Sequence, residues 1–316
     1  MEKMKAVVYR KKGSPEKLVY SDVEKPVPTD NEVLVKTHAV SLNAADYRSM
    51  QLRLIPRSKI FGADISGVVE SIGEKVSTFQ PGDEVIGSFV NHGFGGLAEY
   101  VAVPENALIK KPKEISFAEA STLPVAGITA LQALRDKGNI RKGDKVLIVG
   151  SAGGVGTFAV QLAKHFGAEV TAVCSTKNVK QSFALGADEV LDYTKENFAQ
   201  KTKRYHIILA VNGSYPLLAY RKALAPGGTY VMVGGSYLQL FKSLVFGWLL
   251  SFGGKKMKHL MAKELNSDLE ILAELTSKRI IKAVIEKHYP FEKAAEAMNY
   301  LKQGHSSGKV VIDVVS

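Results

Sequence analysis

The residues best placed to do chemistry lie between Lys145 and Gly156, KVLIVGSAGGVG. An apolar run, Val146-Leu147-Ile148-Val149, ends in Gly150, Gly153, Gly154 and Gly156. A backbone that must turn sharply and come close to a pyrophosphate needs positions without a Cβ atom. The next residues, Thr157 to Lys164, read as a helix with apolar residues on one side. A helix N-terminus at the end of such a loop offers free N–H groups to a phosphate. The spacing is Gly150-x-x-Gly153-x-x-Gly156. The usual G-x-G-x-x-G would begin at position 151, where Ser151 stands. A glycine turn that only packs a helix on a sheet is the simpler alternative. The apolar strand before it, the helix after it and a second strand from Ala168 to Cys174 favour a dinucleotide loop.

The end of that second strand indicates which dinucleotide. An NAD site places Asp or Glu about 20 residues beyond the loop to bind the ribose 2′-hydroxyl. Here the sequence is Cys174-Ser175-Thr176-Lys177-Asn178, with no acid. The hydroxyl of Ser175 and the cation of Lys177 suit a 2′-phosphate. NADP, as NADPH, is therefore expected over NAD.

The elements that must position these residues follow from the rhythm of the chain. Residues 1 to about 115 read as all-β. Lys5–Tyr9, Glu32–Lys36, Gly67–Glu70 and Asp83–Ile86 are short strand-like runs separated by turn residues, including Pro81-Gly82-Asp83. Such irregular spacing suggests a small, partly open barrel. Ser116-Phe117-Ala118-Glu119 matches a capping box. It opens an Ala- and Leu-rich segment running to Asp136. From Lys145 strands and helices alternate: helix 178–185, strand 206–211, a helix begun by Pro216 and ended at Pro226-Gly227-Gly228, then strand 229–233. That alternation implies a doubly wound parallel sheet. Helices are expected over 265–277 and 291–303, with strands over 280–285 and 309–315.

The 316 residues suggest two domains. With 46% hydrophobic and 23% charged residues, the composition is that of a globular protein. One cysteine, Cys174, excludes a disulfide framework and a cysteine-rich zinc site. The N-terminus carries no secretory signal, so a cytoplasmic location is expected. The net charge is +11. The Lys and Arg residues are scattered, without an arginine-rich block or stacking-aromatic motif, which disfavours nucleic acid. An anionic cofactor, substrate or membrane surface would also suit a basic protein. Leu238–Phe252 is apolar, with Lys242 its only charge and Lys255, Lys256 and Lys258 just beyond. It is too short to span a bilayer. A buried helix or a lid is the simpler reading; peripheral membrane contact is the other.

Several motifs together resemble the medium-chain dehydrogenase/reductase superfamily, over nearly the whole chain. They are Val68-Val69 with Gly73, Pro81–Val85, Leu123–Leu131, Gly150–Gly156, Gly186-Ala187-Asp188 and Gly308–Val311. The resemblance is nearest to the zinc-free quinone oxidoreductase branch, which includes enone and enal reductases. It implies a GroES-like β-barrel catalytic domain, residues 1–121 and 285–316, and an NADP-binding Rossmann domain, residues 122–284. It places the active site in the cleft between them and implies a homodimer. Zinc alcohol dehydrogenases carry a cysteine and a Gly-His-Glu motif in the first domain. The matching positions here hold Asn43 and, in Gly62-Ala63-Asp64, Ala63. Neither is a zinc ligand, so no metal is expected. The resemblance also implies site residues. Asn43 and Thr129 border the nicotinamide and its ribose. Gly153, Gly154 and Val155 offer amides to the pyrophosphate. Ser175, Lys177 and Tyr193 hold the 2′-phosphate. Asn212, Gly234 and Gly235 face the cofactor, although relatives often read Asp-x-Val-Gly where this chain has Ala210-Val-Asn-Gly213. Tyr47 and Lys59 are candidate donors to the substrate, each with a plain alternative as a packed aromatic and a surface lysine.

Without a Lewis acid, hydride addition to a plain ketone is hard, whereas a quinone or a conjugated enone delocalises the developing charge to oxygen. The function expected is therefore zinc-independent hydride transfer from NADPH to quinones or α,β-unsaturated carbonyl compounds. A different class remains as the alternative: an NADPH-binding sensor or interaction protein with little catalysis, associated with anionic membrane or RNA.

Overall fold

The alternation that begins at Lys145 builds one parallel sheet, and the turn-rich sequence before it builds a mainly antiparallel one. The computed structural model describes all residues except 1, 11–16, 201–204, 214, 236–240, 242–244, 246, 249, 252, 305 and 316. Contacts divide the chain into two units: Met1–Ala126 with Glu264–Ser316, and Gly127–Lys263.

In the first unit, β1 (Lys3–Tyr9) and β2 (Leu18–Glu24) form an antiparallel pair. A larger sheet joins β3 (Glu32–Leu42), β4 (Asp64–Ile72), β5 (Glu84–Ser88), β6 (Tyr100–Pro104), β7 (Leu108–Lys110), β14 (Ile285–Pro290) and β15 (Lys309–Asp313). β3 is the hub. One edge pairs with β4, and the other takes β6 along Glu32–Lys36 and β15 along Ala39–Leu42. Register shifts at Leu34/Val35 and Thr37/Ala39 mark irregularities that bend a strand and let a sheet curl. Val33, Val35, Val40, Phe61, Ile65 and Val310 lie in its core.

The all-β expectation for residues 1–115 needs one correction. Helix α1, Ala44–Gln51, follows β3 directly. Asn43 is its N-cap, and a capping box closes on Asp46, so a short polar signal overrides the β-rich surroundings. The capping box at Ser116 is present, but the helix it opens is short, α2 Phe117–Ser121. Pro124 restarts it as α3, Pro124–Gln132, since the residue before a proline is pushed out of the helical region. The strand expected over 280–285 lies later, at β14.

The second boundary differs from the expected 284/285. Helix α7 (Asn266–Ser277) groups with the first unit, and side chains fix it there. Glu264 accepts from the Ser88 hydroxyl and from the N–H groups of Val90 and Asn91. Asn266 donates to the Leu108 carbonyl, and Arg279 pairs with Glu119.

The second unit is a six-stranded sheet, every neighbouring pair parallel, in the order β10-β9-β8-β11-β12-β13. Its strands are β8 (Lys145–Val149), β9 (Glu169–Cys174), β10 (Glu189–Asp192), β11 (Tyr205–Ala210), β12 (Leu224–Met232) and β13 (Lys256–His259). Helices α4 (Gly154–His165), α5 (Val179–Ala184) and α6 (Leu217–Ala223) provide crossovers. α6 ends before Pro226-Gly227-Gly228, which β12 runs through. The central strands read as unbroken apolar runs because parallel strands are covered on both faces. Val146, Leu147, Ile148, Ile208 and Leu209 are fully buried. Strand order reverses between β8 and β11, the switch point where such sheets open a crevice at their carboxyl ends. Of Leu238–Phe252, residues 241, 245, 247, 248, 250 and 251 are described; the others lie outside the described residues.

Candidate active site

The glycine loop stands at that switch point. Gly150 ends β8 with φ +88°, a backbone that other residues rarely adopt. A Cβ on Gly156 would sit 2.1 Å from the Gly150 carbonyl oxygen, so the first turn of α4 lies directly on the loop. Gly153 is the N-cap of α4, and a Cβ there would meet nothing within 4 Å. The space above Gly153 is open. The N–H groups of Gly154 and Val155, in the first turn, have no partner within the helix. A 12-residue helix with an open, glycine-lined N-terminus fits a pyrophosphate.

Ser151 has a structural reason for its place in the pattern. It is buried, its Oγ lies 3.3 Å from the Val173 carbonyl and 3.1 Å from Ser182 Oγ, and Ser182 Oγ contacts Cys174 Sγ. The loop is thereby fastened to β9 and α5. Cys174 is buried among these groups, and burial raises its thiol pKa, which leaves it inert.

The residues expected around the 2′-phosphate converge at the ends of β9 and β10. Asp192 pairs with Cys174 in the ladder, and Tyr193 N–H donates to the Cys174 carbonyl at 3.0 Å. That sets Tyr193 beside the turn that carries Ser175 and Lys177. Ser175 is half-buried and accepts from Asn178 Nδ2, while Lys177 and Tyr193 are exposed. Sequence reasoning missed Asp192, the acid beneath this turn. Its carboxylate accepts from the hydroxyls of Thr176 and Thr194 and from Thr194 N–H. These bonds hold its pKa down to about 2. With those donors in place Asp192 fixes the turn from below.

The other expected cofactor neighbours gather on the far side of the loop, at the ends of β11 and β12. Asn212 N–H donates to Val149, and its backbone would be 2.9 Å from a Cβ on Gly150. Gly213 and Gly235 form a parallel bridge, and a Cβ on Gly234 would lie 2.6 Å from the Val211 carbonyl oxygen. Thr129 lies half-buried in α3, in the same unit.

In the first unit, Asn43 belongs to a buried polar cluster that the sequence did not reveal as one. Its Nδ2 donates to the Ser41 carbonyl at 3.2 Å and to Asp64 Oδ2 at 2.8 Å. Its Oδ1 accepts from the Lys309 ammonium, which also donates to the Leu42 carbonyl. Asp64 Oδ2 accepts from Val125 N–H as well, in the first turn of α3. Asp46 accepts from the N–H groups of Asn43 and Gly62. Burial pushes the Asp64 carboxyl up to about 7, against the pull of Lys309 and Asn43. Burial likewise pushes Asp46 up to about 6, and it lowers Lys309. Lys309 carried one weak signal, a lone cation opening the apolar run Val310-Val311-Ile312.

Tyr47 and Lys59 take no part in this cluster. Tyr47 is half-buried on α1 against the apolar core. Lys59 is exposed, with φ +60°, and its carbonyl accepts from Tyr9 N–H at the edge of β1. The residues around Asn43 do not fit zinc. They are an amide whose oxygen already receives an ammonium, two carboxylates and that ammonium. Neither thiolate nor imidazole is among them. Among the described residues no group of three His, Cys, Asp or Glu could hold a metal ion.

Comparison with known proteins agrees with this architecture. Residues 29–113 match the family described as alcohol dehydrogenase GroES-like domain, and residues 185–312 match zinc-binding dehydrogenase. The chain is 33% identical over 315 residues to the chloroplast envelope quinone oxidoreductase homolog of Arabidopsis thaliana, covering 95% of each. The chain belongs to the quinone oxidoreductase-like branch of the medium-chain dehydrogenase/reductase superfamily. It is also similar to the chloroplastic NADPH-dependent alkenal/one oxidoreductase of Arabidopsis thaliana, 33% identical and covering 98% of this chain and 80% of the relative. A solved quinone oxidoreductase from Coxiella burnetii superposes with a TM-score of 0.88 at 29% identity, covering 99% of this chain and all of that one. Within this superfamily the two units are the GroES-like and Rossmann parts, and the glycine loop lies in the latter.

Proposed function

We propose that this chain is an NADPH-dependent oxidoreductase that reduces quinones or α,β-unsaturated carbonyl compounds without zinc. The observation that carries the cofactor reading is that Ser175, Lys177 and Tyr193 lie at the ends of β9 and β10, and that the turn's own residues, Cys174–Asn178, include no acid. The substrate class rests on relatives named quinone and alkenal/one oxidoreductases. Those names favour an enzyme over a sensor with little catalysis.

When bound, the nicotinamide supplies a hydride, which a quinone ring or the β-carbon of an enone accepts. The protein's part is binding and orientation. The N–H groups of Gly154 and Val155, at the open end of α4, hold the pyrophosphate. Lys177 and the hydroxyls of Ser175 and Tyr193 hold the 2′-phosphate through charge-assisted hydrogen bonds. Asn212, Gly234 and Gly235 keep the backbone close to the cofactor where side chains would obstruct it. Thr129 borders the nicotinamide. Asn43 acts as a positioning residue, because both its amide protons and its carbonyl are already taken by Ser41, Asp64 and Lys309. Tyr47 is the candidate donor to the developing enolate oxygen, and Lys59 the second.

The test is a panel of quinones, enals, enones and alcohols with NADPH and NADH, run on the wild type and on Lys177→Ala. The expected result is oxidation of NADPH by conjugated acceptors, without loss on chelation. Lys177→Ala should raise KM for NADPH about tenfold or more and leave NADH nearly unchanged, the scale of a lost charged hydrogen bond. A wild type that prefers NADH would overturn the cofactor assignment, and turnover of saturated alcohols alone would overturn the substrate class.

A further inference from the structure

A cavity of about 670 Å³ lies within the first unit, a size that suits a small organic ligand. Its walls come from the β1–β2 pair, from β6 and from the loops 57–60 and 92–95. The residues assigned above have no part in it. No lining residue belongs to the glycine loop, the Ser175–Lys177 turn or the Asn43 cluster, and neither Tyr47 nor Lys59 is among them.

The inner walls are apolar. Met4, Ile60 and Val101 are buried, and Val23 and Phe94 are half-buried. Backbone bonds fasten these walls to one another. β1 meets the first loop through the Val8–Ile60 bridge and through Tyr9 N–H, which donates to the Lys59 carbonyl. The chain beyond each loop is joined too: Gly96 N–H donates to the Gly62 carbonyl, and Leu97 N–H to that of Phe61. A ligand would meet walls already in place and would not bear the cost of ordering them. Phe94 has φ +61°, between Gly93 at +89° and Gly95 at +116°. A bulky side chain rarely takes that backbone. Here its ring packs 5.5 Å from that of Phe61 and lines the cavity. Strain of this kind gathers at ligand-binding sites.

The charged groups on the walls are Glu24, Arg57 and His92, all at exposed positions. Among the described residues their side chains make no hydrogen bond or ion pair, so Arg57 and Glu24 share a cavity without pairing. The neighbouring cation Lys25 differs: it pairs with Glu2 and Glu70 and lies over the Tyr100 ring. Arg57 is therefore the open cation here. Beside it, Ser58 Oγ accepts from Ile60 N–H at 3.3 Å, which leaves its own O–H to donate. A guanidinium next to a hydroxyl is a donor set for a carboxylate.

We infer that this cavity is a second ligand site, which binds a monocarboxylate with an apolar body. The body lies against Met4, Ile60, Phe94 and Val101, and the carboxylate meets Arg57 and Ser58. Glu24 limits the charge, because it repels a dianion such as a phosphate ester more than a single negative charge. The inference rests on neither the cofactor nor the acceptor proposed above.

The test is equilibrium dialysis of the full chain against decanoate, with decanamide and decyl phosphate as the neutral and dianionic comparisons. The expected result is one decanoate per chain, bound about tenfold or more tighter than decanamide, the scale of a charge-assisted hydrogen bond. Decyl phosphate should bind more weakly than decanoate. Arg57→Gln should weaken decanoate about tenfold and leave decanamide nearly unchanged. Glu24→Gln should act in the opposite direction, tightening decyl phosphate more than decanoate. Both side chains are exposed and unpaired among the described residues, so both variants should keep the wild-type melting temperature. Decanoate should leave KM for a water-soluble quinone unchanged. Dialysis needs no turnover, so failure of the proposed reaction leaves this test intact. Absence of decanoate binding would overturn the inference, as would equal binding of decanoate and decanamide. Wild-type affinity in Arg57→Gln would overturn it as well. Competition between decanoate and the quinone would assign the ligand to the acceptor's site and overturn a second one.

Discussion

Asn43 shows how much one side chain's meaning depends on its partners. As a sequence position it is an amide where a zinc enzyme has a cysteine. In the structure it joins a buried ammonium to a buried carboxylate. Lys309 offsets part of the charge of Asp46 and Asp64, so its removal should be costly. Lys309→Met is expected to destabilise the protein by about 3–5 kcal/mol in urea unfolding, the scale for leaving buried charge uncompensated. The two carboxyls also set a pH dependence. Their folded pKa values, about 7 for Asp64 and about 6 for Asp46, lie above the usual carboxylate value near 3.8. The folded state therefore holds more protons than the unfolded state between about pH 4 and 7. Their contribution to stability is complete below that window and is lost as pH rises through it. Asp64→Asn should flatten the wild-type fall in melting temperature between pH 5 and 8. An unchanged slope would show that Asp64 does not titrate there. Asp192, held near 2, titrates below this range and leaves the comparison undisturbed.

At the scale of elements, the glycine loop separates two jobs that its sequence merges. Gly156 is needed for packing, since a Cβ would strike the Gly150 carbonyl at 2.1 Å. Nothing in the packing requires a glycine at Gly153, since a Cβ there meets only open space and its φ of −75° suits any residue, so under the proposed function its place is set by the ligand. Gly156→Ala should therefore lower the melting temperature by several degrees or prevent folding, with the backbone forced to shift. Gly153→Ala should keep the wild-type melting temperature and weaken NADPH binding about tenfold or more, by crowding the pyrophosphate. Equal losses of stability in both variants would contradict this division. Helix α7 teaches a related lesson. Its own pattern predicted a helix, but its membership in the first unit depends on Glu264, Asn266 and Arg279 reaching Ser88, Leu108 and Glu119.

At the scale of the whole molecule, charge divides as the fold does. The second unit, with 19 basic and 7 acidic residues, repels itself, and the first unit is nearly neutral. Raising salt should screen that repulsion. Hydrogen exchange at low and high sodium chloride should show added protection in peptides from 127–263 and little change in peptides from 1–126. A uniform response would mean that the uneven charge has no energetic consequence.

The sequence by itself determined the features that local physics writes into consecutive residues. The strand, glycine turn and helix at 145–165, the acid-free turn at Ser175–Lys177 and the capping box at Ser116 were all legible, because each depends on neighbours in the chain. The α/β class followed from the alternation that begins there, and the superfamily from the resemblance of short motifs spread from Val68 to Val311. The tertiary structure decided what depends on residues far apart. Tyr193 comes beside the Ser175–Lys177 turn only through the β9–β10 register, and Asp192 is recognised as a support only once Thr176 and Thr194 are seen to donate to it. Lys309 meets Asn43 across 266 positions because β15 pairs with β3. Burial then turns these ordinary polar side chains into a coupled set, since a buried charge must find its partner wherever the fold brings one.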